Sequence, residues 1–345
     1  MSNPTTEEKR AIFRAKAQEG IVKYGFIAVT IGLFGWFALT EETFRQPSTL
    51  FSMLKFTSVV AIVGLGVTFT MVVGGLDLSV GSIAGLGVTV SAMMMVIYNL
   101  TGIFSGVMVL VAGAVVGALN AVLIVWMKIP DLLATLGMMF IVMGLKLLPV
   151  EGQSVSSKMI LRDGSVAPGK FTDGFLQIDR LKVWEIPLPV IIWLILTVLA
   201  WYLLTRTKYG RIMYAVGANP EAAKLSGIKI EWYRASAYVI SGLFAATGGM
   251  ILSSRIGQGD ISAGNSLLLD AVAVALVGTS VLGAGKPNAW GTALGALLIG
   301  IVITGLTIKG FPYYAQDISK GIVLLLALVF SFTLSRKKAR FVAAT

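Results

Sequence analysis

The sequence predicts an all-α protein, a polytopic integral membrane helical bundle, and three observations lead there. Of 345 residues, 56% are hydrophobic and only 13% charged, well under the share usual in soluble domains. The apolar residues come in unbroken runs of about 18–24, the length a helix needs to cross a bilayer. The alternating segments of a membrane β-barrel are missing. Backbone polar groups in lipid must be satisfied within a helix or a closed barrel, so helices remain.

Taken in order, residues 2–20 form a polar segment of mixed charge. The first apolar run, 21–39, is longer than a signal-peptide core and lacks a small-residue cleavage site after it, so it reads as an uncleaved span. Further runs fall at 57–75, 80–99, 103–127, 131–148, 187–205, 233–253, 267–284, 289–308 and 317–335. This gives about ten spans in a membrane domain over 21–335, followed by a tail over 336–345. The second, third and eighth runs are candidates for broken or re-entrant helices.

Loop charge orients the bundle. Lys9, Arg10, Arg14, Lys16 and Lys23 precede the first span; Arg336, Lys337, Lys338 and Arg340 follow the last. The 206–232 loop holds Arg206, Lys208, Arg211, Lys224 and Lys229, with Arg234 just beyond, and Lys128 and Lys286 fall on the same side. The opposing loop, 149–186, balances Lys158, Arg162, Lys170, Arg180 and Lys182 against Glu151, Asp163, Asp173, Asp179 and Glu185. Positive residues stay inside, which places both termini and the 206–232 loop in the cytoplasm and the 149–186 loop outside.

Composition also excludes. With no Cys and no His, thiol chemistry, imidazole acid–base catalysis and the usual zinc and haem ligands are gone. No metal site and no cofactor is expected. The net charge of +11 fits cytoplasmic loops beside anionic lipid headgroups. No basic stripe is interleaved with exposed aromatics, so nucleic acid is not an expected partner.

Glycine, 39 residues, clusters inside the spans. Gly81/Gly85, Gly113/Gly117 and Gly291/Gly295 each put two glycines on one helix face, a spacing that serves close helix packing. Residues 72–87 and 281–297 faintly echo each other: a glycine-rich break, then Gly-Ser/Thr-x-x-Gly. Common descent and chance both account for this. The first break, Gly74-Gly75-Leu76-Asp77-Leu78-Ser79-Val80-Gly81, ends one helix through glycine and caps the next with Asp77 or Ser79. Two readings stay open: a capped break at the membrane edge, or an ordered break lining a pathway or gate.

The second motif lies in the basic loop, Tyr214 to Ile228. Asn219 is an N-cap, Pro220 an N1 proline, Glu221 a first-turn acid and Gly227 a stop that needs positive φ. A helix of about two turns follows, outside the membrane, whose small residues Ala222, Ala223 and Ser226 leave a surface another protein could cup.

These two motifs resemble the signatures of permeases of the ribose/galactose/xylose ABC importer family. A third block, Leu269-Asp270 through Thr279-Ser280 to Gly283-Ala284-Gly285-Lys286, resembles another; the similarity in layout runs over about residues 50–335. The resemblance implies a bacterial-type inner-membrane location and a short coupling helix docking on a separate ATPase subunit, which binds the ATP and magnesium. Arg211, Asn219, Pro220, Glu221, Ala222, Ala223, Leu225, Ser226 and Gly227 are its ATPase-coupling positions. It further implies an extracytoplasmic solute-binding protein and a second permease copy, identical or not. The chain lacks the Ile-x-Leu-Pro of the broader importer coupling motif, and Ala284 interrupts a glycine pair. The implied cargo is an aldopentose or aldohexose; nucleosides, branched-chain amino acids and autoinducer-type sugars travel through related permeases.

Gly283-Ala284-Gly285-Lys286-Pro287 is not a phosphate loop, since position 280 is Ser and 287 is Pro. The chain is therefore expected to be a non-catalytic transport subunit. An ion-coupled secondary transporter is the rival class, and would need buried acids or histidines. Gly74, Gly75, Asp77, Ser79, Gly81 and Asp270 are the pathway or gate candidates. Arg255 and Asp260 are candidates for docking the binding protein, with an Arg255–Asp270 ion pair as one specific form.

Overall fold

The computed structural model describes residues 25–281 and 285–326. The expected segments 1–20 and 336–345, and the C-terminal part of the last span, lie outside them. Helix α1 (Gly25–Thr40) leads through a 3-10 turn to α2 (Pro47–Val72), which opens on its N1 proline. α2 starts ten residues before the apolar run at 57 suggested, because its first turns carry Ser48, Thr49, Ser52 and Lys55 where apolar residues were the only signal used. α3 (Val80–Ala92) and α4 (Gly102–Ala121) both finish in a π-helical turn, Met93–Ile97 and Val122–Trp126. Asn99 and Lys128, each at positive φ, then reverse the chain. α5 (Asp131–Leu145) is followed by the long loop, which contains α6 (Asp173–Arg180) and a hairpin of β1 (Lys182–Val183) and β2 (Ile186–Pro187). Next come α7 (Leu188–Arg206), α8 (Lys208–Ala218), α9 (Pro220–Leu225) and α10 (Ile230–Ile256). α11 (Leu267–Ser280), α12 (Ala289–Ile308) and α13 (residues 313–326) complete the described chain.

Among the described residues, seven helices are long and apolar enough to span a membrane: α2, α3 and α4 with their π turns, α5, α7, α10 and α12. The chain is thus an all-α polytopic membrane protein. α2, α3 and α10 form the centre, and they are buried through small and polar side chains as much as large ones: Thr57, Ser58, Gly64, Thr68, Ser82, Thr89, Ser241 and Gly248 are all enclosed. The large apolar residues often face outward, as in the α4 stripe Ile103, Val107, Val111, Val115 and Leu119. In lipid the hydrophobic effect no longer sorts faces, and close backbone approach decides which face is inside. The expected glycine pairs do this. Gly113 and Gly117 of α4 meet Gly242 and the Tyr238 carbonyl of α10, and Gly291 and Gly295 of α12 meet Gly278 and the Val274 carbonyl of α11.

α7 separates two faces. On one, the 149–186 loop folds over the ends of α3, α4 and α10 through Val155, Phe171 and Phe175 packed on Met93, Met95 and Val96. On the other lie α8, α9 and the first glycine break. Between α10 and α11 the chain does something the apolar run concealed. Gly259 packs beside Ala92, Gly264 against Gly81 and Gly85, and Leu268 against Gly81. Residues 257–266 therefore descend along α3 by roughly ten residues, about 15 Å at helical rise, half the ~30 Å of a bilayer core. α11 starts at that depth. The eighth run is thus entered through an irregular segment, and its helix, α11, is only 14 residues long.

Candidate functional site

At the first break, Gly74 (φ +80) ends α2, and Asp77 is fully buried. Its Oδ1 accepts from the Ser79 N–H at 2.9 Å and the Ser79 hydroxyl at 2.6 Å; its Oδ2 accepts from the Ser241 hydroxyl at 2.8 Å. Asn120 donates to the Ser79 hydroxyl at 2.8 Å. Asp77 closes a local turn, while Ser79 occupies the N-cap position without a side-chain cap bond. The side-chain cap expected of Asp77 or Ser79 is not formed; their side chains make an enclosed polar knot that ties α3, α4 and α10.

A second knot beside it escaped the sequence reading. Asp131, the first residue of α5, accepts from Arg234 Nη2 at 2.8 and 2.9 Å and from the Tyr238 hydroxyl at 2.5 Å. Gly75 lies so close that a Cβ there would overlap both Asp131 and Tyr238. The available signal was Arg234 and Tyr238 at i, i+4 on α10, facing an acid that opens an apolar run.

α8 rests on this region. Thr207 caps it, accepting from the Gly210 N–H at 3.1 Å, and Gly210, Met213 and Val216 are its buried face. Gly217 sits so tightly on the end of α2 that a Cβ would overlap the Val72 carbonyl. The Tyr214 hydroxyl donates to the Pro287 carbonyl at 2.6 Å. Burial pushes the Tyr214 phenol up to about 12, so it stays a donor at any physiological pH. Tyr209 bonds Ser236 and packs on Tyr233. One short helix thus touches the Gly74 break, the loop leading into α12, and α10.

α9 follows with its expected grammar. Asn219 accepts from the Ala222 N–H at 3.0 Å, Pro220 is at N1, Glu221 is in the first turn, and Gly227 holds φ +77. Glu221, Ala222, Lys224 and Ser226 are exposed, Leu225 by 90%, and Arg211 projects from α8. One expectation is corrected: Ala223 is 5% exposed and belongs to the main core cluster. With about 3.6 residues per turn, Leu225 and Ala223 cannot share a face, and Ala223 faces the chain's own bundle.

On the opposite face, Asp179 of α6 accepts from Lys55 at 2.6 Å and from Arg255 Nε at 3.0 Å, and Arg255 Nη2 reaches the Lys55 carbonyl at 2.6 Å. The expected Arg255–Asp270 pair is not formed. Asp270 lies at the half-depth start of α11, where Lys320 of α13 meets it at 3.0 Å. Asp260 stands at the top of the descending segment, accepting twice from Ser262 at 2.8 Å. The gate candidates therefore separate: Gly74, Gly75, Asp77 and Ser79 belong to the α8 face, whereas Gly81 packs on Leu268 of α11 and Asp270 pairs with Lys320. The glycine-rich turn at 283–285 lies partly outside the described residues.

The family model described as branched-chain amino acid transport system / permease component matches residues 49–328. The chain is 33% identical to the ribose import permease protein of Bacillus subtilis, over 97% of this chain and 98% of that one. The ribose import permease protein of Haemophilus influenzae is 32% identical, over 92% and 95%. The D-allose transport system permease protein of Escherichia coli is 30% identical, over 91% and 93%. No solved structure matches with significance. On the family match and on these near-full-length relatives, the chain belongs to the branched-chain amino acid transport system / permease component family.

Proposed function

We propose that the chain is the membrane-spanning permease subunit of an ABC importer for a monosaccharide, paired with a second copy of itself. A solute-binding protein delivers the sugar at the α6 face. A separate ATPase subunit, carrying the ATP and magnesium, docks on the α8–α9 face. The observation that carries this reading is the α8–α9 unit: a fully capped six-residue helix with Leu225 standing out, mounted on a helix that rests on the Gly74 break and on Pro287. So short a helix is marginal alone, and its exposed face offers a partner a knob rather than a flat surface.

The substrate class follows the relatives named for ribose and allose, an aldopentose and an aldohexose. Ten crossings follow from the alternation of α1, α2, α3, α4, α5, α7, α10, α11, α12 and α13 between the two faces, with α11 entered through the irregular segment. Both termini then share the α8–α9 side, and its excess of Arg and Lys assigns it to the cytoplasm. The setting is the cell inner membrane, with lipid against the exposed apolar stripes. Reconstitution in proteoliposomes tests the proposal: ribose uptake should require the permease, its ATPase, the binding protein and ATP together. Uptake driven by a proton or sodium gradient without ATP would overturn it, and preference for leucine or a nucleoside would overturn the sugar.

A further inference from the structure

A cavity of 280 Å³ follows the descending segment from the α6 face inward to the first residues of α11. Phe56, Val60, Leu252, Arg255, Asp260 and Ser266 are among the residues that line it. Irregular backbone at membrane depth leaves peptide groups that a helix would have satisfied, and it persists where it lines a watered or ligand-filled space. Broken helices that start at half depth are where transporters hold their cargo. The cavity is just below the ~300–1,000 Å³ of pockets for drug-sized ligands, which suits one small ring.

Its chemistry is that of a neutral polyol site. Phe56 is 38% exposed, presenting an aromatic face for the C–H face of a pyranose or furanose. The Ser262 bonds to Asp260 engage Oδ1, and an ionised carboxylate has about four lone-pair sites, so acceptor capacity is left for vicinal hydroxyls. Ser266 holds the N-cap position of α11 but makes no cap bond. The fixed charges nearby have counterparts: Arg255 has Asp179 and Asp270 has Lys320, while Lys146, buried beside Ala263 with no hydrogen-bond partner for its Nζ, faces Asp260. Asp270, in the first turn of α11, also offsets the positive end of that helix. Arg255 is the one cation among the lining residues and is held by Asp179, so no lining side chain is left to bind a ligand carboxylate.

We propose that this cavity is a subsite for a neutral monosaccharide, stacked on Phe56 and bonded through its hydroxyls to Asp260 and Ser266, on its route inward from the α6 face. This inference rests on the importer reading and names where, within the chain, the sugar is held. Saturation-transfer difference NMR on the permease–ATPase complex in nanodiscs, with millimolar D-ribose and with L-leucine as comparison, tests it without the binding protein. Transfer to ribose ring protons is expected, with none to leucine, and binding about tenfold weaker in Phe56→Leu and in Asp260→Asn, the effect of one lost contact of hydrogen-bond strength. Val111→Ala, on the exposed stripe of α4, should leave it unchanged. Absence of transfer, equal transfer in both variants, or transfer to leucine instead would overturn the subsite. So would an Asp260→Asn variant that binds ribose normally but has lost affinity for the binding protein, since that assigns Asp260 to docking. Failure of the sugar-permease reading is a separate result, seen as absent ribose uptake in the complete reconstituted system.

Discussion

Asp179 is the residue with the most to lose. Its side chain is 6% exposed and answers two cations from α2 and α10. Asp179→Asn leaves Lys55 and Arg255 facing each other; breaking a dry pair costs about 3–5 kcal/mol, and the partial exposure of both cations reduces this to roughly 2–3. Thermal unfolding in detergent should show that loss. A double-mutant cycle should find coupling between Arg255 and Asp179 and none between Arg255 and Asp270. Asp77 is enclosed more completely. Asp77→Ala strands the Ser79 N–H and the Ser241 hydroxyl without a partner, at about 1–3 kcal/mol each. The melting temperature should fall even though no charge pair is broken.

Among the elements, α9 separates two explanations of one loop. Leu225→Ala removes an exposed side chain, so folding should be untouched while affinity for the ATPase subunit drops about tenfold, the scale of a modest interface contact. Ala223→Trp acts differently, because Ala223 is buried against the chain's own core; it should lift α9 and lower stability before it alters docking. Gly227→Val forces a β-branched residue to φ +77, a strain of about 1–2 kcal/mol, and should uncouple ATP hydrolysis from transport with near-normal expression. Titration of purified ATPase onto the permease, followed by binding-protein-stimulated hydrolysis, checks all three. Normal values for Leu225→Ala and Gly227→Val would make the loop a plain connector. The limits and caps of this helix were readable because they are written in local grammar: Asn219, Pro220 and Gly227 each act within four residues. Which side of it faces inward was not, since that depends on α8 being seated on α2 through Gly217, a contact over a hundred residues away in sequence.

For the whole molecule, the ten-crossing arrangement is open to labelling on a background without cysteine. Ser165→Cys, on the exposed part of the long loop, should react with an impermeant reagent from outside. Lys224→Cys should react from the cytoplasm alone. The reverse pattern, or both on one side, would overturn the topology. The place of most of the described spans was legible because an apolar run records burial in lipid whatever the run packs against. The eighth run stood among the candidates for a broken or re-entrant helix, but the depth at which α11 starts was not legible: Leu267 to Ser280 is as apolar as a full span, and hydropathy has no term for how deep a helix begins. The pairing of charges was hidden too, since Lys55, Asp179 and Arg255 come from three distant segments.

The glycine seam between α4 and α10 has a consequence for heredity. At Gly117 and Gly242 any side-chain carbon would overlap a neighbouring backbone carbonyl. Every amino acid that a single base change can reach from a glycine codon, alanine and serine included, brings that carbon. These positions therefore have no tolerated missense neighbour within the gene, and a random mutagenesis screen for transport should return them as empty columns. The exposed leucines and valines of α4, a helical turn away, should fill with substitutions.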